Sequence, residues 1–192
     1  CMNAHIRSAA VDGVDATEVI VELDATLGLP SWTIVGLPAS AVKESRERVN
    51  AALTNSGFTV PPRRYTVNLA PADTVKTGTA FDLPIALALL VATGQLDQPL
   101  LKHLVIVGEL GLDGAIRGVR GMLSIARYAA HLDDARLFVP KINLAEAALV
   151  ASLVRAERIV SAPTLTDLVE ALNVGSFPAA KIPAPPKRTT PY

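Results

Sequence analysis

Cysteine is nearly absent from this chain of 192 residues, with Cys1 the single example. That excludes an intramolecular disulfide and a cysteine-rich zinc site, and it suits a reducing compartment. Cys1 stands directly ahead of Met2, which reads as a processing remnant rather than a functional thiol. Net charge is also missing, because 18 Lys and Arg balance 18 Asp and Glu. A neutral body offers no overall field to nucleic acid or to an anionic membrane, so binding of that kind needs a local patch. Aromatic residues make up only 4 % of the chain, too few for a platform on which unpaired bases would stack. The longest apolar run, "LPIALALLVATG", is too short to cross a bilayer, and no charged segment leads into an apolar one at the start. A soluble, cytoplasmic protein without a membrane partner is expected.

What is present is enough apolar material, half of the residues, for one buried core. "HIRSAAV" and "ATEVIVELD" are β-branched runs joined by "DGVD", the chemistry of a hairpin. "SWTIVG" and "RRYTVNLAP" read as strands. Between them "ASAVKESRERVNAALTNSG" reads as a helix stopping at Gly57, with Val42, Val49, Ala52 and Leu53 on its inner side. Further strands are expected in "HLVIVGEL", "GAIRGV", "ARLFVP" and "ERIVSA", and helices over 121–132, 143–153 and 164–173. Thr164 or Thr166, ahead of acidic residues, signals the start of the last helix. Antiparallel strands followed by β-α units predict an α/β or α+β two-layer domain with a mixed sheet over residues 1–173. Residues 174–192, with "FPAAKIPAPPKRTTPY", are proline-rich and aperiodic, and read as an extended linker.

The common catalytic signatures are missing. No G-x-x-x-x-G-K-[ST] string occurs, so these residues hold no phosphate-binding loop. "GELGLDGAIRGVRG" places its glycines in turns rather than at a strand-to-helix junction. His5, His103 and His131 are scattered, without a second ligand type at metal-binding spacing. No G-x-S-x-G elbow is present. One stretch still invites a functional reading: "KTGTAFDLPIALALL", residues 76–90. Asp82 is placed to cap the helix that follows, Pro84 suits its first turn, and Gly78 permits a conformation closed to other residues. Leu83, Ile85, Leu87, Leu89 and Leu90 cover too much of the helix for a surface stripe and predict a central core helix. Lys76, Thr77 and Thr79 are left as an expected exposed contact for DNA or a neighbouring subunit.

Three strings, "GLPSWTIVGLPASAVKESRERVNAALTNSGF", "RRYTVNLAPADTVKTGTAFDLPIALALLVATGQL" and "VGELGLDGAIRGVRGML", together resemble the N-terminal domain of the ComM/YifB family of magnesium-chelatase-like AAA+ proteins. The likeness runs in order from about residue 4 to residue 173. It implies a ribosomal-S5-domain-2-like fold shared with the Lon protease catalytic domain. It also implies an AAA+ ATPase module elsewhere in the polypeptide, which would bind ATP and Mg, and a hexameric DNA branch-migration motor used in natural transformation. No cofactor is expected in these 192 residues themselves.

The likeness to Lon makes the loop testable. A Lon-type peptidase needs a serine at the elbow and a lysine base after the hairpin, since a hydroxyl attacks poorly until a base takes its proton. Those slots hold Ala80 and Leu123 here, so the expected dyad is degenerate and the domain non-catalytic. Arg120 is a nearby cation, but its guanidinium stays protonated and cannot serve as the base. Separately, Lys43, Arg46, Arg63 and Arg64 form a candidate phosphate-binding patch. Against that, Lys43 with Glu47 and Glu44 with Arg48 have the spacing of self-paired surface charge. Two functions stay open: a DNA-contacting guide for the ring, and an oligomerisation or partner-recruitment module that touches no DNA.

Overall fold

In the computed structural model, residues 3–182 are described. The linker reading therefore falls mainly outside the described residues. Its first part, from Gly175 to residue 182, carries no helix or strand. Phe177 packs on the core and lies under the Arg136 guanidinium, 5.4 Å from the ring centroid.

The chain opens with a hairpin of β1 (Asn3–Asp12) and β2 (Asp15–Thr26), turned at Gly13 and Val14 with Asp12 opposite Asp15. β3 (Ser31–Val35) follows, then the helices α1 (Ser40–Lys43) and α2 (Ser45–Asn55), β4 (Arg64–Ala70) and α3 (Asp82–Ala92). The single helix expected over 39–57 is interrupted at Glu44, while Val42, Val49, Ala52 and Leu53 are all fully buried as its spacing required. Next come β5 (Leu104–Ile106), a small separate hairpin of β6 (Glu109–Leu110) and β7 (Ile116–Arg117), and α4 (Met122–Ala130). β8 (Arg136–Phe138), α5 (Leu144–Ala147), α6 (Ala151–Arg155), β9 (Ile159–Val160) and α7 (Leu165–Val174) complete the described chain. Thr164 caps α7, its hydroxyl accepting from the Asp167 amide at 3.1 Å.

The main sheet is mixed, with seven strands in the order β3-β4-β2-β1-β5-β8-β9. β2 alone runs against the others, because its pairings to β1 and β4 are antiparallel and every other pairing is parallel. Over β3, β4 and the 22–24 stretch of β2 the domain has two layers, while α4 covers the far face of the β1-β2 hairpin near its turn, where Ala9 is buried with Val11 and Ala16 beside it. One face buries Val21, Leu23, Val67 and Leu69 beneath α2 and α3, and the other exposes Glu22 and Asp24. Over β5, β8 and β9 both faces are covered. Leu104 and Ile106 join the core beneath α3, while Val105, Leu137 and Ile159 pack with α4 and α6 in a second one. Apart from the exposed Arg136 that opens β8, these strands are accordingly apolar without alternation, as parallel strands buried on both faces are. All eleven residues of α3 are buried.

Candidate functional site

β4 leaves the sheet at Ala70, and the loop after it is tied back to the turn that follows β3. The Lys76 amide donates to the Leu37 carbonyl at 3.0 Å, and the Ala39 amide donates to the Lys76 carbonyl at 2.8 Å. Gly36 lets the same turn press against the end of β4 at Leu69. Its φ is +100°, and a Cβ there would stand 2.3 Å from the Leu69 carbonyl oxygen. The same tie draws the Lys76 side chain inward. Lys76 is 1 % exposed, with Nζ donating to the Pro71 carbonyl oxygen. Burial lowers the pKa of its ammonium, with Asp73 opposing. The expectation of an exposed Lys76 contact is therefore corrected: its charge lies beneath the loop. Thr77 is exposed and Thr79 half-buried, separated by Gly78 at φ +79°.

Thr77, Thr79 and Ala80 form one wall of a cleft of about 590 Å³, with Glu109, Arg120 and Ile125 among the residues opposite. The elbow is clamped to the exit of β5, the Gly108 amide donating to the Ala80 carbonyl at 2.9 Å and the Leu83 amide to the Gly108 carbonyl at 3.0 Å. Ala80 thus occupies a cleft with a bare methyl group. Leu123 is not part of the lining; it sits in the first turn of α4, where its amide donates to Glu146 Oε1 at 2.9 Å. Ala80 and Leu123, the positions expected to correspond to a peptidase dyad, do not line the cleft together, and the α4 residue that reaches it is Ile125. Neither threonine hydroxyl is hydrogen-bonded within the described residues, so none is set against a base.

Directly under the elbow lies a constellation that sequence reasoning missed. Asp82 does not cap α3: the capping position is Phe81, no side chain caps it, and Asp82 is the first helical residue, fully buried. Its carboxylate accepts from Ser45 Oγ at 2.7 Å, from Arg48 Nε at 2.6 Å and Nη2 at 3.0 Å, and from the Leu110 amide at 3.1 Å. Four donors converge because a carboxylate out of water must replace its hydration shell. Burial pushes the Asp82 carboxyl up, against the pull of Arg48, Ser45 and the Leu110 amide. The hydrogen bond to Asp82 holds the Arg48 guanidinium above its ordinary value. The surface pairing expected of Arg48 with Glu44 is present at 3.8 Å, yet its shorter contact is inward. The available signal was a lone carboxylate opening a helix too apolar to face water.

The four basic candidates do not gather. Arg64 pairs with Ser31 at the start of β3, and the Arg63 carbonyl accepts from the Ser31 amide there. Lys43 and Arg46 follow the far end of β3, where residues 37–39 meet Lys76. The seven residues of β4 separate these ends by roughly 20 Å at the usual strand rise. Lys43, Arg46 and Arg64 are exposed, Arg63 is half-buried, and Arg46 approaches Glu47 at 3.8 Å. The exposed cations Lys43 and Arg46 thus share an end of the sheet with Thr77 and Thr79, and Arg120 faces the same loop across the cleft. Among the described residues no group of acidic, histidine and cysteine side chains could hold a metal, and no helix is long and apolar enough to cross a membrane.

An α/β domain with a loop-to-helix elbow beside a cleft is the class that this geometry defines. The model for subunit ChlI of Mg-chelatase matches residues 21–143. The chain is 44 % identical to the competence protein ComM of Haemophilus influenzae over 170 residues, covering 88 % of the chain and 32 % of that protein. It is 46 % identical to the uncharacterized protein YifB of Escherichia coli over 146 residues, 76 % of the chain and 28 % of YifB. An uncharacterized protein of Mycobacterium bovis shares 43 % over 143 residues, 74 % of the chain and 28 % of its own length. The chain belongs to the magnesium-chelatase-like ComM/YifB family, of which it represents the N-terminal domain. It spans about a third of the length of the curated relatives it matches.

Proposed function

We propose that these residues are the non-catalytic accessory domain of a ComM-type hexameric AAA+ ATPase that moves DNA branches during transformation and recombination, and that they contact DNA. The observation that carries this reading is the shared end of the sheet, where Lys43 and Arg46 stand beside Thr77 and Thr79 with Arg120 across the cleft. Exposed cations beside hydroxyls bind phosphate without reading sequence. On this proposal ATP and magnesium belong to an AAA+ module elsewhere in the full-length protein. Arg63 and Arg64, at the opposite end, form a second and weaker contact.

Fluorescence anisotropy with single- and double-stranded DNA at low salt tests the reading. Binding should weaken steeply as salt rises, because phosphate contacts release counterions. Alanine at Lys43, Arg46 and Arg120 together should remove most of it, and alanine at Arg63 and Arg64 only a minor part. Absence of binding, or binding untouched by either set, overturns the proposal. Casein and a fluorogenic peptide should remain uncleaved, with Thr79→Ala making no difference; cleavage lost on Thr79→Ala would refute the non-catalytic reading.

The even charge balance and the separation of the basic residues favour a second reading, an oligomerisation or partner-recruitment module without DNA contact. Light scattering set beside the anisotropy discriminates the two. Stable assemblies lacking DNA affinity select the second reading, and monomers that bind DNA select the first.

A further inference from the structure

The two edges of the main sheet are built differently. β9, at one edge, is two residues long, and brevity is one device by which proteins blunt an edge against unwanted pairing. β3, at the other, is an unbroken run of five residues with no strand on its outer side among the described residues. Charge, proline within the strand and bulges are others, and β3 has none of these three. No charged residue occurs anywhere from Thr26 to Val42.

The Ser31 amide bonds inward to β4, and along a parallel pair the direction alternates, so Trp32 and Ile34 turn their N–H and C=O groups outward. Apolar side chains flank both ends of this edge. Leu27 and Leu29 are 77 % and 88 % exposed ahead of it, and Val35 and Leu37 are 42 % and 49 % exposed at its close. Leu37 holds a left-handed conformation, φ +56°, which costs a branched residue free energy and here leaves its side chain facing water.

We propose that β3 pairs antiparallel with the β3 edge of a second copy of this chain, about a two-fold axis through Thr33. In that register Thr33 opposes Thr33, Trp32 opposes Ile34, and Ser31 opposes Val35. The outward-bonding residues Trp32 and Ile34 then exchange both of their hydrogen bonds, while the threonines form the close, non-bonded pair at the axis. The same rotation carries Leu27 and Leu29 of one copy toward Val35 and Leu37 of the other. A second copy is the occupant because the edge complements itself. An uncharged run meets an uncharged run and no ionic group is desolvated, whereas a charged strand would lose its hydration with no counter-ion opposite. The four apolar side chains expose roughly 400 Å² per copy, about half of what each partner contributes to a standard interface. The pairing is therefore weak and concentration-dependent, and it stands whether or not the domain touches DNA.

Sedimentation equilibrium of the 192-residue chain, from micromolar to near-millimolar concentration, tests it. The weight-average mass should climb from 20.1 kDa toward twice that value. Thr33→Lys and Thr33→Glu, both at an exposed position, should each hold the chain at the monomer mass by setting like charges against each other across the axis. Mixing the two variants should restore association, because lysine then meets glutamate. Val35→Lys provides an independent block, and far-UV circular dichroism confirms that each variant is folded. A mass fixed at 20.1 kDa throughout, association unaffected by the Thr33 variants, or a mixture that stays monomeric would each overturn the pairing.

Discussion

Arg48 and Asp82 are 34 residues apart in sequence, yet the guanidinium of one grips both carboxylate oxygens of the other, at 2.6 and 3.0 Å, and so locks α2 to the start of α3. Removing the cation alone strands a buried carboxylate. Arg48→Met should cost about 3 kcal/mol or more, whereas Arg48→Met combined with Asp82→Leu should recover a large part of that loss. Urea denaturation of the single and double variants measures the coupling.

The same pair sets a pH dependence. A carboxyl whose folded-state pKa lies above its unfolded value binds its proton more tightly in the native state. Its contribution is complete below the ordinary carboxylate range and is lost as pH rises through the folded value. Burial places Asp82 in this class, and Arg48 limits the effect. Stability should therefore fall more steeply with rising pH, from the ordinary carboxylate value upward, in Arg48→Met than in the parent. Melts across the mildly acidic range check this.

Lys76 has the opposite sign. Burial lowers its folded-state pKa, so the native chain binds fewer protons than the unfolded one between that lowered value and 10.5. Its contribution therefore improves as pH rises through this window, and the slope should vanish in Lys76→Met. Subtracting the stability curve of Lys76→Met from that of the parent isolates it from the tyrosines Tyr65 and Tyr128, whose pKa values burial raises. Because the ammonium lies under the loop, Lys76→Met should leave DNA affinity unchanged.

Gly36→Ala should destabilise the domain by about 2 to 3 kcal/mol, since it combines a positive φ with a Cβ driven into the Leu69 carbonyl. Thr164→Ala should cost about 1 kcal/mol, the usual value of a lost helix cap. Thermal denaturation monitored by circular dichroism separates the two by size.

Local patterns in the sequence reported local structure well. "DGVD" turned the hairpin where its chemistry required, Thr164 capped its helix, and α3 was legible as core because no face of it could bear water. What escaped was set by partners distant in the chain. A helix over 143–153 was expected, but that stretch breaks into a short turn of 3-10 helix over Lys141–Asn143, followed by α5 and α6. There the Asn143 amide is engaged with the Val119 backbone, accepting its N–H at 2.9 Å and donating to its carbonyl at 3.0 Å. Lys76 read as surface because its neighbours are polar, and only its ladder to residues 37–39 turns it inward. Asp82 read as a cap because its place before the helix was visible while Arg48 was not. The basic candidates looked like one patch because sequence shows charge without showing which end of a strand carries it.

The order of the strands has a consequence for how the chain comes to be folded. β1 lies at the middle of the sheet, between β2, its immediate successor, and β5, about a hundred residues further on, where the Ser8 hydroxyl reaches the Ile106 carbonyl at 2.7 Å. During synthesis the first hairpin can close at once, but one side of its central strand stays open until β5 has been made. Until then the nascent chain offers β1 and β3 as two unsatisfied edges, and completion of β5 withdraws the first while leaving the second.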